Sequence, residues 1–336
     1  MAARPRKKPC VVISVGCPSG IGPEVSVSAA ARVRGATRVL VGDLRLLREA
    51  AELAGVAPSK LVPYTGDESG DALYVLEAGP RLRPSDRKPG RPSNAAGAAQ
   101  LAYVEAAYAL VKRSPGSALV TGPVSKAAIA HSGLARARRF RGHTEWLQEL
   151  DGAKSSVMCF AAEKLVTSLV TTHLPLTEVP RALRPSNVAE STYWLGKLLL
   201  GLGRKRPSVA VASLNPHAGE DGMFGREEAR AILPGIAQAK RRLGKSVVVL
   251  GPIGAETAYR KAYAGSYDGV VAMYHDQATI PMKLVAFGDA VNVTMGLSVV
   301  RTSVDHGTAY DIAWTGKADA GGMRAAIDLA LKLVGS

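Results

Sequence analysis

Cysteine is scarce: the chain has three, Cys10, Cys17 and Cys159, in 336 residues. No CxxC pair occurs, so neither a disulfide framework nor a local zinc knuckle is expected. This usage fits a reducing cytoplasm. Aromatics make up only 5%, and none are interleaved with the basic clusters at Arg4 to Lys8, Arg136 to Arg141, Arg204 to Arg206 and Lys240 to Arg242. The formal net charge of +15 is therefore scattered rather than gathered on a nucleic-acid reading motif, and no nucleic-acid partner is expected. Long hydrophobic runs are missing too. The run Val11 to Val15 is shorter than a signal-peptide core, and no stretch approaches a membrane span. Neither the GK[ST] phosphate loop nor the GxGxxG dinucleotide fingerprint is present.

What remains is an ordinary soluble composition, 47% hydrophobic and 21% charged. The length is large for one core and suits two domains or a two-lobed unit. Short apolar runs and helix-like stretches alternate. Strands are expected at Val11 to Val15, Arg38 to Val41, Ala118 to Thr121, Ser156 to Phe160, Val166 to Thr171, Val209 to Ala212, Ser246 to Leu250 and Gly269 to Met273. Asp43 and Ser93 are placed to cap helices reaching Ala54 and Arg113. Further helices are expected over Asn187 to Leu202, Arg226 to Leu243 and Ala318 to Val334. Repeated βα alternation implies an α/β fold with mainly parallel sheets covered on both faces. The expected lobes are 1–130 with 285–336, and 131–284, with a cleft between them and the run Arg136 to Arg141 as a crossover.

Chemistry concentrates between Tyr267 and Asp311. The strand Gly269 to Met273 ends in Tyr274-His275-Asp276-Gln277, and open α/β sheets place ligand-contacting groups at strand C-termini. Lys283, Asn292, Arg301, Asp305 and His306 follow within one short span. So varied a set of donors and acceptors between apolar segments reads as the floor of an active site for a small anion. Near the start, Gly16-Cys17-Pro18-Ser19-Gly20-Ile21-Gly22-Pro23-Glu24 joins a strand to a helix. That layout can offer backbone N–H groups to an anion, or can be a tight βα turn without a ligand.

His173, His217 and His275 each follow an apolar strand. Three imidazoles meeting at one sheet edge would leave a position open for substrate on a bound metal. Imidazole suits zinc, cobalt, nickel or iron, and the nearby Asp276 would admit harder ions. Each could equally be a hydrogen-bonded structural histidine. His143-Thr144-Glu145 follows Gly142 at a helix start, where Thr144 and Glu145 could serve only as capping groups.

The segments GCPSGIGPE, TGPVSK, GHTE, VTTHLPL, LNPHAGEDGMFGREE, MYHDQ, NVTMGL and RTSVDHGTA together resemble the 4-hydroxythreonine-4-phosphate dehydrogenase family of pyridoxal phosphate biosynthesis, from about Val11 to Gly321. The resemblance implies NAD-dependent oxidation of 4-phosphohydroxy-L-threonine at its 3-hydroxyl, then decarboxylation to an amino-ketone phosphate. It implies a homodimer with the metal site built from both subunits. The metal is zinc in the first instance, with magnesium or cobalt as alternatives, on His173, His217 and His275. It places His143, Thr144, Lys283, Asn292 and Arg301 on the substrate. Arg301 and Lys283 suit carboxylate or phosphate, and the general base is His143 or Lys283.

The run from Asp305 to Ala313 also resembles the HGSAPDIAG loop of isocitrate and isopropylmalate dehydrogenases. That likeness implies a two-lobed fold of their kind. It puts His306 and Gly307 near the adenosine of NAD and Asp311 near its ribose, the acidic group disfavouring NADP. The alternative is that Thr308 and Asp311 begin a helix. The chain departs from the family pattern at Cys17, Ser19, Ala278, Ser298 and Glu256. Two other readings follow: a dehydrogenase for a threonate- or erythronate-type 4-phosphate, or a basic binding protein that has lost catalysis.

Overall fold

The computed structural model describes residues 8–66 and 70–335. Of the basic run Arg4 to Lys8, only Lys8 lies among them. They form two compact units: the described part of Met1–Lys154 with Leu297–Gly335, and Ser155–Gly296.

The first unit opens with strand β1 (Cys10–Ser14), helix α1 (Gly22–Arg32), β2 (Thr37–Gly42), α2 (Leu44–Leu53), β3 (Leu61–Pro63) and β4 (Leu73–Glu77). A two-residue ribbon, β5 (Arg87–Lys88) with β6 (Arg91–Pro92), precedes the long α3 (Asn94–Lys112), β7 (Ser117–Thr121), α4 (Lys126–Ala130) and α5 (His143–Asp151). Both predicted caps are present. Asp43 accepts from the amides of Arg45 and Leu46, and the Ser93 hydroxyl accepts from Ala96 N. Each satisfies donors that the first helical turn leaves open.

The second unit holds β8 (Val157–Ala161), β9 (Val166–Leu169), α6 (Val179–Ala182), α7 (Pro185–Gly201), β10 (Ser208–Ala212), α8 (Leu233–Leu243), β11 (Val248–Ile253), α9 (Ala255–Tyr263), β12 (Gly269–Ala272), α10 (His275–Ala286) and β13 (Val291–Met295). The chain then returns to the first unit with β14 (Val300–Ser303) and α11 (Gly321–Gly335).

In the first unit the strand order is β14-β7-β1-β2-β4-β3, parallel throughout. β2 and β7 are buried along their whole length, which is why they read as unbroken apolar runs rather than alternating ones. In the second unit the order is β11-β10-β12-β9-β8-β13. The first four strands run parallel, while β8 is antiparallel to both neighbours. This is the α/β architecture with mainly parallel sheets expected from the strand–helix alternation.

Helices α6, α9 and α10 escape the sequence pattern, and α10 runs against it. Residues 275–286, read as polar groups trailing a strand, form α10, with Pro281 inside it. An interior proline argues against a helix, and tertiary packing of Ala278, Thr279 and Met282, all buried, overrides that preference.

Candidate active site

In the second unit β9, β12 and β10 are adjacent and parallel, so the loops leaving them emerge at one edge. His173 follows β9, His275 opens α10 directly after β12, and His217 lies in the turn after β10. Side chains lash these loops together. The Thr171 hydroxyl donates to Met273 O at 2.8 Å. Gln277 accepts from Met273 N at 2.6 Å and donates to Ser213 O at 2.9 Å. The buried Glu228 takes the amides of Leu214 and Asn215 on one oxygen and Asn215 Nδ2 on the other. Gly219 is required in that turn: its φ is +88°, and a Cβ would stand 2.9 Å from Glu228 Oε2.

The lashing brings two of the three imidazoles together. The rings of His173 and His275 are centred 5.6 Å apart. His275 Nδ1 lies 2.8 Å from Asp276 Oδ1, an orientation in which a carboxylate holds one ring nitrogen and leaves Nε2 for a metal. His217 instead packs its ring 6.1 Å from that of Phe224, within a run of left-handed residues from His217 to Asp221. Among the described residues of one chain, no group of three His, Cys, Asp or Glu side chains is placed to hold a metal ion. The donor chemistry fits a divalent cation, but one chain alone does not gather the full set. Of the remaining second-unit candidates, Lys283 is exposed on α10. Asn292, on β13, has a buried Oδ1 without a hydrogen-bond partner among the described residues.

In the first unit Arg301 sits on β14 and is almost wholly buried. Its Nη2 donates to Thr121 Oγ1, on neighbouring β7, at 2.6 Å. Burial lowers the guanidinium to about 10, which leaves it cationic at neutral pH. His143 is the first residue of α5 and Thr144 the second. Burial first, then Arg301 and Lys126, hold the His143 imidazole well below its ordinary pKa, so it is neutral at pH 7. Its Nε2 is buried with no hydrogen-bond partner in the described structure. A buried guanidinium beside a neutral imidazole, with Glu145 acting on the same arginine, is a set of groups that suits an anionic ligand.

The loop after β14 is anchored by the Gly- and Pro-rich turn after β1. Ile21 N donates to Thr308 O at 3.0 Å. The buried Glu24 carboxylate accepts the amides of Trp314 and Gly316, and Trp314 Nε1 donates to Pro18 O at 2.9 Å. Cys17 N and Gly20 N are likewise engaged, with Pro123 O and Cys17 O. The turn thus spends these amides on holding neighbouring loops. Thr308 and Asp311 do not start a helix; residues 310–316 are turn. Among the described residues His306 Nε2 is buried without a hydrogen-bond partner, Gly307 has open space where a Cβ would stand, and Asp311 is exposed.

A profile of the family described as pyridoxal phosphate biosynthetic protein PdxA matches residues 34–330. The chain belongs to the PdxA family.

It is 41% identical over 334 residues to a 4-hydroxythreonine-4-phosphate dehydrogenase of Geobacter metallireducens, covering 98% of this chain and 96% of the relative. It is 37% identical over 330 residues to a D-threonate 4-phosphate dehydrogenase of Pectobacterium atrosepticum, covering 96% and 98%. The crystal structure of a 4-hydroxythreonine-4-phosphate dehydrogenase from Klebsiella pneumoniae superposes with a TM-score of 0.83 at 35% identity, covering 98% of this chain and 100% of that one. The chain is accordingly a dehydrogenase, an oxidoreductase.

Two hydrogen-bonded clusters of the first unit carried no signal in the sequence. Tyr310 lies with its hydroxyl 3.5 Å from Cys17 Sγ, and Ser125 and Thr308 also hydrogen-bond to it. The departure at Ser298 has a local reason: its amide donates to Asp151 Oδ2 at 3.0 Å, and its hydroxyl bonds Asp151 and, at 2.5 Å, Lys112 Nζ. A proline at 298 would lose that amide donor.

Proposed function

We propose that the chain oxidises the 3-hydroxyl of 4-phosphohydroxy-L-threonine with NAD, and that the resulting β-keto acid loses carbon dioxide to give 3-amino-2-oxopropyl phosphate. The observation that supports this reading is the almost wholly buried Arg301 acting on the neutral ring of His143, a cation and a hydrogen-bonding ring suited to an anionic substrate. Arg301 supplies a planar fork for phosphate or carboxylate. His143 and Thr144 bind alongside it, and Lys283 and Asn292 are the proposed substrate groups of the second unit. His143, already unprotonated at pH 7, is the general base that takes the hydroxyl proton, and bound NAD would supply the hydride acceptor. The cations beside it weaken its basicity in the free protein. A bound anion offsets their charge and raises it.

NAD would lie along His306, Gly307 and Asp311. A divalent cation, zinc or alternatively magnesium or cobalt, would be held by His173, His217 and His275, with the set completed across two copies of the chain. When bound it supplies Lewis acidity at the oxidised hydroxyl and at the charge left by decarboxylation. The homodimer has a second support. Ile280 and Leu284 on α10, with Phe287 just past its end, are 67%, 84% and 84% exposed, an apolar patch of the kind that marks a protein contact. No helix among the described residues is long and apolar enough to cross a membrane, and the proposed enzyme works in the cytoplasm.

A dehydrogenase for a threonate- or erythronate-type 4-phosphate is the second reading, favoured by the Pectobacterium relative and by the departures at Cys17, Ser19, Ala278 and Ser298. NADH formation on a panel of 4-phosphorylated hydroxy acids, with and without chelator, tests both. Turnover of the amino acid substrate above the others upholds the first. Preference for a sugar acid upholds the second, and no turnover of any refutes both.

A further inference from the structure

We propose that Lys126, the first residue of α4, is a substrate-binding residue that places a second cation beside His143 for the anionic end of the substrate. The inference rests on the dehydrogenase reading above and adds a residue to its site.

Three features of the first unit support it. The first is position. His143 follows Gly142, and a Cβ built on Gly142 would lie 3.6 Å from Lys126 Cε and 3.7 Å from its Nζ. The same Cβ would meet Glu145 Oε2 at 2.8 Å, so the absence of a side chain at Gly142 lets both long side chains close on the start of α5. Lys126 and Arg301 are the two cations that act on the His143 ring.

The second feature is support. Gln100, wholly buried on α3, accepts from Ser125 N at 2.8 Å while its Nε2 donates to Ala96 O at 3.1 Å. The Ser125 hydroxyl caps the turn by accepting from Ala128 N. α3 and α4 approach so closely at Gly97 that a Cβ there would stand 2.0 Å from Ala128 O. A buried amide spent on one loop N–H, and a glycine spent on one helix contact, fix the backbone that carries Lys126. Such fixing of a site's support is what precise ligand contact requires.

The third is availability. Residue 126 is exposed, whereas Arg301 is buried. An exposed ammonium and a buried guanidinium complement each other for one anionic group. Glu145 is the acidic group facing them; it lies against the Gly142 position and adds to the Arg301 environment. Without it, two cations would crowd a neutral ring unopposed.

The test compares wild type with Lys126→Met, which keeps length and drops charge, and Lys126→Arg. With the preferred substrate of the panel, Lys126→Met should raise KM roughly ten- to hundredfold, the worth of a hydrogen bond to a charged group, while KM for NAD stays put. Lys126→Arg should recover part of that loss. The His143 ring proton resonances supply an arm that needs no turnover. Inorganic phosphate titrated into wild type should move them, and should bind several-fold more weakly in Lys126→Met. Wild-type KM and wild-type phosphate affinity in Lys126→Met would overturn the proposal. Inactivity of the wild type on every substrate would refute the dehydrogenase reading and leave the phosphate titration to decide Lys126.

Discussion

Arg301 Nη2 and Thr121 Oγ1 meet at 2.6 Å across neighbouring parallel strands, both side chains inside the first unit. The contact orients a guanidinium that burial would otherwise penalise. Arg301→Ala should lower kcat/KM by orders of magnitude, since the substrate anion loses its buried partner. Thr121→Val keeps the volume and removes the acceptor, and about a tenfold loss is expected. Removing the Arg301 charge also favours protonation of His143, so the acid limb of the pH–rate profile should move to higher pH. Wild-type kinetics in Arg301→Ala would rule the role out.

The 5.6 Å separation of the His173 and His275 rings, with His217 turned toward Phe224, sets up a metal prediction. His217→Ala and His275→Ala should each strip metal and abolish activity while far-UV circular dichroism stays unchanged. Metal content per chain, measured on the purified protein, reads this directly; full activity without metal would refute the assignment.

The α10 face predicts association. Replacing Leu284 or Phe287 by Asp places a charge in the proposed contact and should convert a dimer to monomer in sedimentation velocity. Activity should fall with it if, as proposed, the metal set is completed across two copies. A wild-type chain that sediments as a monomer at micromolar concentration would remove this proposal.

Asp311 is exposed in the turn following His306 and Gly307. Asp311→Ala should weaken NAD several-fold and narrow the preference for NAD over NADP, read by isothermal titration with each dinucleotide. Unchanged NAD affinity would remove the loop from the cofactor site.

Asp151 gives the acid limit of stability. Its burial alone would raise its pKa, but hydrogen bonds from Ser298, Tyr108 and Lys112 bring it down to about 2. A carboxyl lowered from an unfolded value of about 3.9 stabilises the folded state above that value and loses the contribution as pH falls toward 2. Thermal melts of Asp151→Asn should lie well below wild type at pH 7 and converge with it as pH falls from 4 to 2. A constant gap across that range would contradict the assignment.

Much of this was legible without coordinates. Unbroken apolar runs such as Val39 to Val41 and Leu119 to Val120 identify strands buried on both faces. Asp43 and Ser93 mark helix starts because a side-chain acceptor is needed there. α10 was hidden because Pro281 contradicts a helix locally, and only burial of Ala278 and Met282 against the second-unit core resolves the conflict. The role of Lys126 was equally hidden, since its neighbour His143 lies beyond an intervening helix in the chain.

The sequence by itself determined the family, the strand–helix alternation and the residues able to do chemistry, because motifs and periodicity are local properties. Which of those residues meet was decided only by the tertiary structure. Strand order puts the loops of β9, β12 and β10 side by side, yet the left-handed turn at His217 keeps its ring from joining the other two. The same packing draws Arg301, Lys126 and a neutral His143 into one place, because burial and proximity of charge arise only once distant segments are folded together.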